Sequence, residues 1–155
     1  MIAIIVGSKT DKKIFDEALK LLQDWKIDYE FRVLSAHRTL EETIAYAKEA
    51  SQKNIKVIIT AAGASAALPG IIAASTNLPV IGIPIPSTCL QGIDSLLSMV
   101  QMPKNVPVGV VSIGEAGAVN AVLLALRILA LNNSKIEQLL TEHKEKIRQK
   151  TLTEQ

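Results

Sequence analysis

Residues 57–83 read VIITAAGASAALPGIIAASTNLPVIGI, and this stretch specifies the architecture of the chain. It begins with an apolar run at Val57–Ala61 and ends with another at Val80–Ile83, and such runs predict buried strands. Between them, Leu68–Ser75 has the pattern of a short helix, with Pro69 in the first turn, where proline is tolerated. A strand, a helix and a second strand in this order predict a parallel sheet covered by helices.

The same alternation continues on both sides of this unit. Upstream, Ile2–Val6 and Tyr29–Leu34 are strand candidates, and each is followed by a helical pattern. Downstream, Val108–Ile113 predicts a fifth strand, which lies between helical patterns at Gly92–Met99 and Ala116–Leu131. Five strands with no long insertion predict an α/β fold with a flavodoxin-like parallel sheet of order 2-1-3-4-5 and helices on both faces.

Capping residues mark the start of two further helices. Thr39 with Glu42 three residues later has the spacing of a capping box. Ser134 is expected to cap a polar last helix over about residues 134–150, and we expect this helix to pack on a neighbouring subunit. Residues 1–155 are together expected to form a single domain.

Charge is nearly absent from the centre of the chain. No Asp, Glu, Lys or Arg occurs between Val57 and Ile93. A membrane span would explain this, but glycines and prolines interrupt the segment and leave no apolar run of ~18 residues. Because interface cores are depleted in charged residues, we expect a homo-oligomer. The net charge of +2, without a visible basic stripe, argues against nucleic acid as the main partner.

Cysteine usage and the N-terminus indicate the compartment. The single cysteine, Cys89, cannot form an internal disulfide, which predicts a cytoplasmic protein, and we expect this residue to be small and buried. The opening sequence MIAIIVGSKTD lacks the basic region and the apolar length of a signal peptide.

Three loops follow the first three predicted strands: GSKTD (7–11), SAHRT (35–39) and AAGASAALPG (61–70). In parallel sheets, ligands bind beyond the carboxyl ends of the strands, beside the switch point. Free N–H groups at the helix starts favour an anion there. Serine hydroxyls and the planar fork of Arg38 suit a phosphate, whereas the carboxylate of Asp11 suits ribose hydroxyls. These loops predict a site for a phosphorylated small molecule.

Each element of this site also has a purely structural interpretation. Gly7-Ser8 has the composition of a tight turn, and Asp11 is a good helix cap. Arg38 has Glu41 and Glu42 within the next turn, where an ion pair is worth about 0–1 kcal/mol. The convergence of three loops on one edge favours the binding site. No G-x-G-x-x-G or G-K-[ST] motif supports a dinucleotide or P-loop site, and no aromatic residue in the loops could stack on a flavin.

The two histidines have different expected roles. His37 is the only side chain of the predicted site that titrates near neutrality, which makes it the candidate general acid–base. His143 lies on the last helix, far from the predicted site, and is expected to be structural.

These motifs, in this order, resemble the class I N5-carboxyaminoimidazole ribonucleotide mutases of bacterial purine biosynthesis. GSKTD is similar to the family's GSxSD, and SAHRT matches its SAHRTP through the threonine. LPGIIAASTNLPVIGIPI (68–85) is similar to its LPGMxAAxTxxPVxGVPV, and GIDSLLSMVQMPKNVPVG and IGEAGAVNAVLLALRIL follow its later signature. The resemblance covers about residues 2–145.

The resemblance implies an enzyme that moves a carboxylate from N5 of the ribonucleotide to C4 of the imidazole, by loss and recapture of CO2. It implies no ATP, metal or organic cofactor, and an octamer of three-layer α/β/α subunits. By motif, His37 moves the proton, Arg38 anchors the 5′-phosphate and Asp11 contacts the ribose. The other residues implied in substrate binding are Gly7, Ser8, Ser35, Ala36, Gly63, Ala64, Ser65 and Leu68.

The chain departs from the family pattern at residues 63–70, GASAALPG, where the family has GGAAHLPG. Ala67 replaces the family's second histidine, and Ala64 replaces a glycine. Ser65, a backbone N–H or a neighbouring subunit could substitute for that histidine. Leu40 replaces the proline of SAHRTP at a helix start, where we expect little effect.

Two alternative functions remain open at the level of sequence. The first is a carboxylase that adds free CO2 directly to aminoimidazole ribonucleotide. The second is a binding module that recognises a phosphoribosyl ligand without turnover. The loss of the second histidine makes the binding module conceivable. The Gln101-Met102-Pro103 region and the LPG loop resemble the mutases and favour them over the carboxylase.

Overall fold

A computed structural model of the chain describes residues 1–154, which leaves Gln155 of the predicted domain outside the described residues. The strands are β1 (Ile2–Val6), β2 (Tyr29–Val33), β3 (Val57–Gly63), β4 (Val80–Ile85) and β5 (Gly109–Val110). The α-helices are α1 (Asp16–Asp24), α2 (Leu40–Glu49), α3 (Leu68–Ser75), α4 (Ile93–Val100), α5 (Gly114–Ala130) and α6 (Ser134–Thr153). Two 3-10 helices span Lys9–Phe15 and Ala50–Lys53.

The five strands form one parallel sheet of order β2-β1-β3-β4-β5, which confirms the predicted topology. β1 pairs on both sides, and its last residue, Val6, is in register with Val33 of β2 and Ala61 of β3. The carboxyl ends of these three strands therefore meet at one edge, and the loops that follow them are neighbours.

Helices cover both faces of the sheet, as the alternating pattern predicts. Along β1, Ile4 faces one side and Ile5 the other, because successive side chains of a strand point to opposite faces. Both are fully buried, and burying such a side chain contributes about 1.5–3 kcal/mol. The first face packs against α1 and α5, and the second against α2, α3 and α4. The result is a three-layer α/β/α fold.

Small residues let α5 approach the sheet closely. Ala118, Ala121 and Ala125 are fully buried along the helix. A Cβ atom placed on Gly117 would lie 1.8 Å from the carbonyl oxygen of Ser112, so only glycine fits there. Small buried residues, rather than large aromatic ones, therefore fill the contact between α5 and the sheet.

β4 is longer than the sequence predicts. The sequence places the end of this strand at Ile83, before Pro84, yet the strand continues to Ile85. Pairing with β5 stops at Gly82, whose carbonyl accepts from the N–H of Val111 at 3.1 Å. Residues two apart face the same neighbour, so position 84 faces the side where β5 has already ended. The missing proline N–H therefore removes no ladder bond.

Three further expectations differ from the structure. The predicted fifth strand, Val108–Ile113, is reduced to two residues, Gly109–Val110. Asn133 rather than Ser134 caps α6, because its side-chain oxygen accepts from the N–H groups of Lys135 and Ile136 at 3.1 and 3.3 Å. Thr39 precedes α2, but its side chain forms no capping bond to the helix, so the predicted capping box is absent.

The charge-poor segment leaves an apolar stripe in contact with solvent. Leu90, Ile93, Leu97 and Val100, on α4 and the turn before it, are each more than half exposed. α6, in contrast, packs on α5 of its own chain, where Ile136 is buried. Large apolar side chains grouped on one face of a helix are typical of an interaction surface.

Candidate active site

The loops at the carboxyl edge of the sheet surround a cavity of about 210 Å³. It lies beyond β1, β2, β3 and β4, where parallel sheets bind ligands. All the predicted site residues except Ser65 line it: Gly7, Ser8, Asp11, Ser35, Ala36, His37, Arg38, Gly63, Ala64 and Leu68. The other lining residues are Ala62, Ala66, Ala67 and Ser87.

The first loop presents a serine and a carboxylate. Ser8 caps the 3-10 helix, since its hydroxyl accepts from the N–H of Thr10 at 3.4 Å. Asp11 follows within the same helix, so it is not the cap. Burial raises the pKa of Asp11, and hydrogen bonds from Ser8 and Thr10 and the charge of Arg38 offset only part of this effect. Asp11 lines the cavity, where its carboxylate could accept further hydrogen bonds from a ligand.

The second loop is held by its own threonine. The Thr39 hydroxyl accepts from the N–H of Ser35 at 2.8 Å and lies 3.1 Å from the Ser35 carbonyl oxygen. Arg38 donates from Nη2 to the Gly7 carbonyl at 2.7 Å and from Nε to Ser35 Oγ at 3.2 Å. Arg38 therefore ties the first two loops together, and within residues 1–154 it forms no ion pair with the glutamates of the next turn. His37 is exposed and lines the cavity.

The third loop is built from strained small residues. Ala64 and Ala66 have φ angles of 51° and 38°, in the region that glycine normally occupies. The N–H of Ala66 donates to the Gly63 carbonyl at 3.0 Å and closes the turn. Ala67, in the place of the family's second histidine, lines the cavity with a methyl group. Ser65 is exposed and lies outside the lining, so the expected hydroxyl is not brought into the cavity.

A fourth loop contributes Ser87, which is not among the predicted site residues. A Cβ atom placed on Gly63 would lie 2.0 Å from Ser87 Oγ, so the two residues are in direct contact at the cavity wall. The sequence feature that could have identified it is a serine directly after the IPIP segment (83–86), at the end of the fourth strand. The prediction misses it because Pro84 shortens the predicted strand and moves its end away from the site edge.

His143 and Cys89 lie apart from the cavity. The His143 ring packs edge-on against Trp25, with ring centroids 5.4 Å apart, in agreement with a structural role. Cys89 is exposed, and the expectation that it is buried is wrong. It sits in the turn between β4 and α4, which projects toward solvent.

Two larger grooves, of about 650 and 670 Å³, lie at the opposite edge of the sheet. Residues that immediately precede the strands line them, and neither contains a predicted site residue. Across residues 1–154, no three His, Cys, Asp or Glu side chains are grouped closely enough to hold a metal ion. Over the same range, no helix has the length and apolarity needed to cross a bilayer.

Comparison with known proteins identifies the family to which this chain belongs. The model of a family described as AIR carboxylase matches residues 1–150. The chain belongs to the AIR carboxylase family. A relative from Saccharolobus solfataricus, named N5-carboxyaminoimidazole ribonucleotide mutase, is 51% identical over 98% of this chain and 95% of its own length. A relative of the same name from Bacillus subtilis is 47% identical over 98% and 94%.

Solved structures agree with this membership. A crystal structure of Treponema denticola PurE superposes with a TM-score of 0.87 and 30% identity, covering 98% of this chain and 94% of that one. A crystal structure of a substituted form of Treponema denticola PurE2 gives a TM-score of 0.88 with 29% identity, over 99% and 94%. Membership of the AIR carboxylase family confirms the resemblance drawn from the loop motifs.

Proposed function

We propose that this protein is an N5-carboxyaminoimidazole ribonucleotide mutase, an isomerase of de novo purine (IMP) biosynthesis. It converts N5-carboxyaminoimidazole ribonucleotide to 4-carboxy-5-aminoimidazole ribonucleotide. The observation that carries the proposal is the cavity at the carboxyl edge, where an acid–base candidate, a cation and a carboxylate meet. The names of the Saccharolobus and Bacillus relatives support it.

Arg38 and Asp11 bind different parts of the ribonucleotide, the 5′-phosphate and the ribose. Arg38 is already oriented by the Gly7 carbonyl and by Ser35 Oγ, and its remaining N–H groups are free to bind the 5′-phosphate. The hydroxyl of Ser8 and the nearby backbone N–H groups add donors to the same anion. Asp11 accepts hydrogen bonds from the ribose hydroxyls. Leu68 forms an apolar wall, and Ala36, Gly63 and Ala64 allow close approach of the base.

The reaction requires two bond changes and one net proton transfer. The C–N bond of the carbamate breaks, its electron pair stays on N5, and N5 takes a proton as CO2 is released. C4 then donates an electron pair to CO2 and loses its own proton. His37 gives the first proton and removes the second, so it ends in its starting state. Confinement of CO2 beside C4 replaces a bimolecular encounter, which can be worth effective molarities of ~10⁵–10⁸ M. No step calls for ATP, a metal or an organic cofactor.

The active form is proposed to be a homo-octamer in the cytoplasm. Ligand pockets usually measure about 300–1,000 Å³. The cavity of about 210 Å³ is smaller, so one chain encloses only part of a ribonucleotide. The exposed stripe on α4 begins in the loop that also lines the cavity, so a second subunit docked there lies close to the site. The outer side of α6 would supply a further subunit contact.

A carboxylase that uses free CO2 is the second candidate. Its support is Ala67, because the side chain of the second histidine is missing from this cavity. A non-catalytic phosphoribosyl-binding module is the remaining alternative, and it would bind ligand without turnover. We expect the mutase activity to survive with His37 as the only essential histidine.

The test is an ultraviolet assay of the purified protein with N5-carboxyaminoimidazole ribonucleotide, without ATP or added bicarbonate. Wild type should form the 4-carboxylated product, and His37→Asn should lower the rate about 10²–10⁴-fold. His143→Asn is the matched control and should retain the wild-type rate. A rate that depends on bicarbonate, with the N5-carboxylated substrate inert, would identify the carboxylase. Ligand binding without turnover, unchanged in His37→Asn, would identify the binding module.

A further inference from the structure

We propose that the Ser87 hydroxyl binds the carboxyl group during its transfer, an inference that rests on the proposed mutase function. Ser87 lies two residues beyond the end of β4, and it lines the cavity together with the loops after β1, β2 and β3. Its N–H donates to the Ile85 carbonyl at 2.9 Å, which forms a tight turn directly at the end of the strand. The hydroxyl is thus held at the same sheet edge as His37.

The contact with Gly63 places this hydroxyl against the third loop, residues 61–70. Gly63 is the last residue of β3 and pairs with Ile85 of β4. A Cβ atom at Gly63 would lie 2.0 Å from Ser87 Oγ and 2.9 Å from Ser87 Cβ. Any side chain at position 63 would therefore displace the hydroxyl, and the glycine keeps open the space that Ser87 occupies.

α4 anchors the loop that carries Ser87. The Thr88 hydroxyl donates to Asp94 Oδ2 at 2.8 Å, which joins the loop to the first turn of the helix. The buried Ser95 hydroxyl lies 3.1 Å from the Ile85 carbonyl oxygen and fixes the end of the strand. These contacts hold the backbone on both sides of Ser87 and limit the reorganisation that its hydroxyl needs, which favours electrostatic stabilisation of a transition state.

The chemistry assigns a specific task to this donor. When C4 gives its electron pair to CO2, negative charge develops on the CO2 oxygens as the new carbon–carbon bond forms. A hydrogen bond from Ser87 stabilises that charge, and no proton is transferred to or from the serine. Ala67 offers no side-chain donor, and Ser65 points outside the lining. Ser87 is the serine that the fourth loop adds to the cavity wall, in contact with Gly63 of the third loop.

The test is Ser87→Ala, assayed with substrate carrying ¹⁴C in its carboxyl group. We expect kcat for the 4-carboxylated product to fall about 10- to 100-fold, because one preorganised donor is lost. KM should change by less than about 2-fold, because the phosphate and ribose contacts remain. The fraction of label released as ¹⁴CO2 should rise, because CO2 is recaptured more slowly. Ser87→Cys, which keeps the size but not the donor strength, should resemble Ser87→Ala.

Ser98→Ala is the matched control, because the Ser98 hydroxyl lies on the exposed side of α4 and donates to the Asp94 carbonyl. It should keep both the wild-type rate and the wild-type release of label. Wild-type kcat and label retention in Ser87→Ala, measured beside an active wild type, would overturn the role of Ser87 alone. A fall in rate with unchanged label partition would also overturn it, since this pattern marks a structural effect. An inactive wild type would instead overturn the proposed mutase.

Discussion

Ala64→Gly is expected to stabilise the protein, because Ala64 has a φ angle of 51° on the cavity loop. An alanine in the left-handed region is disfavoured by about 1–2 kcal/mol. Glycine removes this strain, but its greater freedom in the unfolded chain costs about 0.5–1 kcal/mol. The Ala64 methyl is exposed, so its removal gives up little burial. The net gain is therefore about 0.5–1 kcal/mol, the difference between the relieved strain and the added chain entropy.

A neighbour in the same loop provides an internal comparison. Ala66 has a φ angle of 38°, and its exposed fraction is only 3%. Ala66→Gly relieves similar strain but loses a buried methyl worth about 0.8 kcal/mol, so its net effect should be near zero. Ala74, exposed within α3, has no such strain, and Ala74→Gly should cost about 0.5–1 kcal/mol.

Thermal unfolding of the three variants at one protein concentration measures these differences. For a chain of this size, 1 kcal/mol corresponds to about 2–4 °C in Tm. Ala64→Gly should raise Tm by about 1–4 °C, while Ala74→Gly lowers it by a similar amount. A Tm for Ala64→Gly at or below that of wild type, with the expected loss in Ala74→Gly, would refute the argument from backbone strain.

Three further predictions concern stability. Asp11→Asn should stabilise the protein at pH 7, because burial raises the pKa of Asp11 and the folded chain disfavours its charge. The gain should shrink as the pH falls and Asp11 is protonated. Unfolding in urea at pH 7 and at an acidic pH measures this difference. Burial raises the pKa of Glu30, but hydrogen bonds from Arg32 and Tyr46 outweigh burial and leave that pKa below its usual value. Tyr46→Phe should therefore lower the free energy of unfolding by about 1–2 kcal/mol at pH 7 and by less at pH 3. The reason is that the stability contributed by a carboxyl with a lowered pKa is lost on acidification. Equal losses at the two pH values in urea unfolding would contradict this. Gly117→Ala should lower the stability of the fold by about 3 kcal/mol, since its Cβ would meet a backbone carbonyl. Gly109→Ala is the control: its Cβ would have no contact closer than 3.7 Å, so its stability in calorimetry should stay within about 1 kcal/mol of wild type.

The sheet order was predictable because the apolar runs are short and separated by helical patterns. The run at Val57–Ala61 matches the start of β3, and Ile2–Val6 matches β1 to the residue. The continuation of β4 through Pro84 to Ile85 was not predictable in the same way. Whether a proline ends a strand depends on which neighbour its missing N–H faces, and this is a property of the assembled sheet.

The site was predictable where it depends on strand ends and not where it depends on loop direction. Parallel strands bring the loops that contain Asp11 and Arg38 to one edge, whatever their detailed conformation. Ser65 is expected from the sequence to face the cavity, but the left-handed residues on either side of it turn this serine toward solvent. Ser87 reaches the cavity through the two extra residues of β4 and a glycine partner at Gly63.

The exposure of Cys89 has a practical consequence for following the enzyme in solution. It is the sole thiol in the sequence, and it lies two residues from Ser87 on the loop that borders the cavity. A maleimide fluorophore or nitroxide attached to the wild-type chain would therefore sit at one defined position of each chain, near the proposed ligand site. Ligand occupancy could then be read as a spectroscopic change without any engineered cysteine.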